Sequence, residues 1–182
     1  MPPNSCRILL KFGLESYLKE HLFEPSVFTF RRWEDGNIVG LTRLVPDFSN
    51  TFDAPYYVIH RAHLQRALFL KALNLGVKVH IGSKVKSYEP EKPSLTLENG
   101  LRYEADLIVA ADGMNSEARK VVLNGEDQPP QRTGFAAYRA LVDIARIEAD
   151  PELAPLLEIP GQNCWYVASK NPTTFYISFS SK

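Results

Sequence analysis

The run Asp106-Leu107-Ile108-Val109-Ala110-Ala111, followed at once by Asp112-Gly113 and then by Asn115 or Ser116 as a helix cap, is the strongest chemical signal in the sequence. A continuous apolar stretch of this kind reads as a strand buried on both faces. It places a carboxylate and a flexible glycine at the carboxyl end of a central strand, the edge where ligands bind in open α/β sheets. A carboxylate there accepts hydrogen bonds from ribose or ribityl hydroxyls, Gly113 lets backbone approach a ligand, and the helix start offers amides to an anion. The same residues also describe an ordinary Asp-Gly turn capped by Ser116, so their context has to decide.

Other residue types suggest chemistry less directly. His60 and His63, with His21 and His80, invite a metal reading. No carboxylate or thiolate cluster accompanies them, and a strand-to-helix junction is expected to split His60 from His63, so no metal site is assigned. Trp165, Tyr166, Phe175, Tyr176 and Phe179 could line a pocket for a planar molecule, although such residues more often form sheet core.

The elements that position these residues follow from hydrophobic period and turn chemistry. Asn4 or Ser5 caps a first helix, and Gly13 divides the apolar positions Ile8, Leu9, Phe12, Leu18 and Leu22 between two short helices. Residues 27–33 and 38–45 read as a β-hairpin around Asp35-Gly36-Asn37, and 46–56 as a loop. After an extended entry at 56–60, Arg61 opens a helix with an apolar stripe of Leu64, Leu68, Leu70, Ala72 and Leu73, ended by Gly76. Residues 77–81 alternate like a strand, and 84–89, 94–98 and 102–104 follow as antiparallel segments around Asn99-Gly100. A helix runs from 115 or 116 to Val122. The last third, with β-branched and aromatic stretches at 133–144 and 163–179, reads as the beginning of a second, sheet-based unit.

Composition removes several function classes. The 182 residues carry 21 basic and 21 acidic side chains, so the formal net charge is +0 and the strong basic field that nucleic acid requires is absent. With 45% hydrophobic and 23% charged residues the chain has material for a core and lacks the composition of a disordered segment. Two cysteines, Cys6 and Cys164, make neither a disulfide framework nor a paired-cysteine metal motif. No apolar stretch approaches the ~20 residues of a membrane helix, and Met1-Pro2-Pro3-Asn4 does not open a secretory signal. A soluble, cytoplasmic protein is the expectation.

Ala111-Asp112-Gly113-Met114-Asn115-Ser116-Glu117-Ala118-Arg119 resembles the Asp-Gly-x-x-Ser-x-x-Arg motif of the flavin-dependent aromatic hydroxylases, the FAD monooxygenases related to salicylate and para-hydroxybenzoate hydroxylases. Three other stretches match in order: Pro3-Asn4 with Leu9-Leu10 and Gly13-Leu14; His60-Arg61-Ala62-His63-Leu64 with Leu68; and Gly76-Val77 leading to Asn99-Gly100. The resemblance implies a mixed α/β (α+β) fold. Residues 1–130 would form a partial Rossmann-like FAD-binding domain with an antiparallel β insertion, and 131–182 the beginning of a β-sheet substrate domain. It implies that Arg61, Asp112 and Gly113 bind FAD, with NADPH as co-substrate, and that Arg139 in the Tyr138-Arg139 strand holds the phenolate of a small aromatic or polyketide-like substrate. The Pro-Asn and Tyr-Arg stretches look closer to fungal members of secondary metabolism. Arg119 is expected to play a structural part.

The ten glycines contain no Gly-x-Gly pair, so the pyrophosphate loop that opens the family's chains is not found, nor is its C-terminal Gly-Asp motif. The resemblance therefore places the chain in the middle of a larger enzyme, truncated at both ends. Two readings follow: an FAD-dependent monooxygenase, or a truncated, non-catalytic fragment that binds no FAD by itself.

Overall fold

The computed structural model describes residues 1–126, 131–132, 140, 142–158, 161–166 and 178–180. They fall into two units, Met1–Val77 with Phe135–Lys182, and Lys78–Gly134.

In the first unit, helix α1 (Pro3–Lys11) is capped by Pro2, two residues ahead of Asn4, the first of the expected caps. Pro3 occupies the first turn, where a missing N–H costs nothing and the fixed φ is already helical. The helix ends in a Schellman clasp: Gly13, at φ +69°, donates to Leu10 O at 2.8 Å and Leu14 to Leu9 O at 3.1 Å. The clasp delivers Leu14 into the core, where with Leu18 of α2 (Glu15–Leu18) and Ala67 of α4 (Arg61–Asn74) it is almost wholly buried. Leu9, Tyr17, Leu22, Ile59 and Leu64 pack around this centre. Helix α4 ends in the same way, with Gly76 at φ +80° donating to Leu73 O and Val77 to Ala72 O. Its expected apolar stripe is only partly covered: Leu64 packs on the core while Leu68, Leu70 and Leu73 stay exposed.

The hairpin forms as expected, β1 (Val27–Arg32) against β2 (Ile38–Arg43). Strand β6 (Gln162–Tyr166) then adds to β1 in parallel, Phe28 opposite Gln162 and Arg31 opposite Trp165. Strand β7 (Ser178–Ser180) completes a four-stranded sheet in the order β2-β1-β6-β7. Arg31 fastens the central pair. Its Nε donates to Asn163 Oδ1 at 3.0 Å, its guanidinium reaches Gly36 O at 3.1 Å, and its Cζ stands 5.9 Å from the centre of the Trp165 ring.

The expected loop at 46–56 contains a helix, α3 (Asp47–Phe52). Aromatic packing accounts for it: Phe48 and Phe52 lie one turn apart and meet edge to face at 5.2 Å, and Phe48 meets Tyr56 at 6.0 Å. The last third also contains a helix, α6 (Ile144–Glu148), capped by Asp143, whose Oδ1 accepts from Ala145 N at 3.0 Å.

The second unit is built on the antiparallel meander β3 (Val85–Glu89), β4 (Ser94–Leu97) and β5 (Arg102–Glu104), as the Asn99-Gly100 turn predicts. Arg102 ties the three strands together, with two hydrogen bonds to the Glu89 carboxylate at 3.1 and 2.8 Å and one to Ser94 Oγ at 2.9 Å. Helix α5 (Ala118–Val122) follows.

Two expected strands do not form. Residues 77–81 and 106–111 are neither helix nor strand, and Ile81, Leu107 and Val109 are 80%, 76% and 78% exposed. The sequence periods suit a strand, but a strand also needs a neighbour for its N–H and C=O groups, and among the described residues no strand pairs with either segment.

Candidate functional site

Asp112 sits in the second unit at the head of a short 3-10 turn, Gly113–Asn115. Its carboxylate is engaged by the chain itself. Oδ1 accepts from Ser116 Oγ at 2.7 Å, and Oδ2 accepts from the backbone N–H of Glu117 at 3.0 Å and of Ala118 at 3.4 Å. The Ser116 hydroxyl and these amides hold the Asp112 carboxyl below the usual carboxylate range, the hydroxyl acting most strongly. The cap of α5 is Glu117, one residue beyond the expected Asn115 or Ser116, although Ser116 Oγ accepts from Arg119 N at 3.1 Å in the first turn. The Arg119 guanidinium donates to Met114 O at 2.8 Å, which gives it the structural part foreseen. Gly113 has φ +75°, and nothing lies within 4 Å of the position a Cβ would take. The result is a rigidly cross-braced loop with open space over its glycine.

Tyr88 of β3, which sequence reasoning does not single out, belongs to this loop. Its hydroxyl reaches Asp112 Oδ2 at 3.4 Å, and burial together with the Asp112 charge pushes the phenol above its ordinary pKa. No local signal marks Tyr88, because the contact spans 24 residues.

Arg61 lies in the first unit, in the first turn of α4, exposed and without a hydrogen bond or ion pair among the described residues. The preceding residue caps the helix: His60 Nδ1 accepts from Ala62 N at 3.3 Å. The junction does not separate the histidines as expected. His60 and His63 meet edge to face at 5.7 Å, and His63 stacks on His21 with ring centres 3.8 Å apart and planes at 22°. The start of a helix turns His63 back toward its own cap, which a linear reading of the junction misses. Among the described residues no three His, Cys, Asp or Glu side chains are arranged to hold a metal.

The Asp112–Gly113 loop and Arg61 stand in different units, each with its own geometry. Arg139, with Tyr138, lies outside the described residues, as do the side chains of Tyr166, Phe175, Tyr176 and Phe179. Trp165 is half-buried in the sheet beside Arg31. Among the described residues no helix is long and apolar enough to cross a membrane.

No protein-family model matches the chain. It is 29% identical over 184 residues to the FAD-dependent monooxygenase OpS4 of Beauveria bassiana, an alignment that covers 100% of the chain and 43% of that protein. It is 31% identical over 179 residues to the 3-amino-4-hydroxybenzoate 2-monooxygenase PtnB3 of Streptomyces platensis, covering 98% and 43%. Hispidin-3-hydroxylase of Neonothopanus nambi is 28% identical over 165 residues, covering 88% and 38%. The chain thus spans less than half the length of these curated relatives. Among solved structures it resembles a salicylate hydroxylase substrate complex, with a TM-score of 0.71, 23% identity and 91% of the chain against 41% of the other. FqzB gives a TM-score of 0.69 at 20% identity, covering 91% and 37%. These likenesses establish the α/β fold class expected from the sequence. Over the roughly two fifths of their length that it spans, the chain is similar to FAD-dependent and aromatic-substrate monooxygenases.

Proposed function

We propose that the chain serves an FAD-dependent monooxygenase that hydroxylates a phenolic or other aromatic substrate with NADPH and O2, in secondary metabolism and in the cytoplasm. The relationship to named monooxygenases along nearly the whole chain carries the reading. Bound FAD would supply the redox chemistry, and the protein would supply position, donors and a dry surrounding.

The residues present fit such a group. Arg61 offers an exposed guanidinium with its donors uncommitted, suited to the phosphates or polar ring edge of a flavin nucleotide. Gly113 leaves room for a ligand to approach the backbone. Asp112, with both oxygens engaged, fixes the loop in the shape that presents this opening. Arg139 would hold the substrate as its phenolate, the more electron-rich form. Residues 1–130 would form the FAD-binding part and 131–182 the start of the substrate sheet. The pairing of β1 with β6 supports a substrate sheet that also recruits the 27–43 hairpin.

The test is a titration of the purified chain with FAD, followed by flavin fluorescence and by the visible spectrum before and after NADPH. Quenching that weakens about tenfold or more in Arg61→Ala, equivalent to the loss of one charge-assisted contact, is expected. Binding unchanged by Arg61→Ala would remove Arg61 from the site. A chain that neither quenches FAD nor retains colour would support the non-catalytic fragment instead.

A further inference from the structure

Three of the four histidines converge where the Lys19–His21 turn meets the first turn of α4. His63 is the centre: one face stacks on His21 at 3.8 Å, and the ring of His60 approaches it edge to face at 5.7 Å. His60 in turn closes the helix through Nδ1, which accepts the Ala62 N–H. Each contact depends on a neutral ring. An imidazolium at His60 carries a proton on Nδ1 and has no lone pair to accept with, and two imidazolium rings stacked at this distance repel. A positive charge at this end of α4 is also opposed by the helix dipole.

Among the described residues the groups whose charge acts on His63 are His21, His60 and Arg66, and none of these is a carboxylate. On α4 the neighbouring cations are Arg61 and, one turn on, Arg66; on the turn His21 follows Lys19 and Glu20; the nearby packing residues Leu22, Ile59 and Leu64 are apolar. Partial burial first, then His21, His60 and Arg66, hold the His63 imidazole below the ordinary histidine value.

We propose that His21, His60 and His63 form an acid-sensitive latch, which holds the Lys19–His21 turn against the start of α4 while the rings are neutral and releases it when they are protonated. The sign follows from the lowered value of His63. Its contribution is complete above the unfolded-state value near ~6.5 and is lost as the pH falls below it, because the unfolded chain takes up the proton first. Arg61 stands in the turn that would loosen, yet the latch requires no flavin and goes beyond the functional reading.

The test uses the full 182-residue chain and NMR. Imidazole titration should place His63 below the ordinary histidine value. Protection of the Ala62 amide from hydrogen exchange should fall about fivefold or more between about pH 7.5 and about pH 5.5, after correction for intrinsic exchange, while Ala72 deeper in α4 stays protected. His60→Asn, whose side-chain oxygen can accept the Ala62 N–H at every pH, should abolish most of that acid loss, and His63→Gln and His21→Gln should each reduce it. The latch is overturned if His63 titrates at or above the ordinary histidine value, if Ala62 is equally protected at both pH values, or if the His60→Asn variant loses protection in acid as the unaltered chain does.

Discussion

Gly161 stands just before β6, where the chain turns in beside the first residue of β1. Its φ is +74°, and a Cβ added there would fall on Val27 O and within 2.7 Å of Val27 Cγ2. Replacing it by alanine therefore carries two costs. The left-handed conformation alone costs about 1 kcal/mol for a residue with a Cβ. The overlap with a backbone carbonyl cannot be relieved by turning a side chain, so β1 and β6 must separate locally, and about 2–4 kcal/mol in total is expected. Gly36→Ala is the matched control, because Gly36 has φ +70° and nothing within 4 Å of its Cβ position. It should lose only the conformational part. The two tryptophans, Trp33 and Trp165, both belong to the first unit, so urea unfolding followed by their fluorescence reads that unit alone. With a slope of about 2 kcal/mol per M, Gly161→Ala should lower the midpoint by about 1–2 M and Gly36→Ala by about half a molar unit. Equal midpoints for the two variants would refute the placement of residue 161 against Val27, and with it the parallel β1–β6 pair.

Arg102→Ala should destabilise the meander by about 1 kcal/mol, read from far-ultraviolet circular dichroism in denaturant, because the lost bonds to Glu89 are partly solvated. The difference should shrink in concentrated salt; a salt-independent loss would show that packing, not charge, is at work. Ser116→Ala should move the Asp112 carboxyl back toward its ordinary range in a carbon-detected NMR titration. Because Asp112 is depressed in the folded chain, its stabilising effect is present above the ordinary carboxylate value and fades as the pH falls through the folded value, and the variant should show less of this fading. An unchanged Asp112 titration would transfer its perturbation to the backbone amides.

Local chemistry made much of this chain readable. Arg61 to Gly76 announces a helix by its period and its closing glycine, and Asn99-Gly100 announces a reversal by its turn residues. Residues 77–81 and 106–111 carry the period of strands but lack partners among the described residues, since pairing depends on segments far away in sequence. The same distance hid the β1–β6 pair. For the candidate site, the Asp112-Gly113 loop was legible because its bracing comes from residues within six positions, whereas Tyr88 arrives from another strand. The histidine cluster escaped because His21 reaches His63 from a separate turn.

Helices α1 and α4 finish with the same glycine clasp, and Lys71 lies between the two. Its Nζ comes within 3.3 Å of the Cβ position at Gly13, passes 6.0 Å from the centre of the Tyr17 ring, and belongs to the last turn of α4 itself. The carbonyl end of α1 bears partial negative charge, which an ammonium beside it complements. Lys71 of α4 thus brings its ammonium to the carbonyl end of α1, so the endings of two helices distant in sequence meet at one side chain.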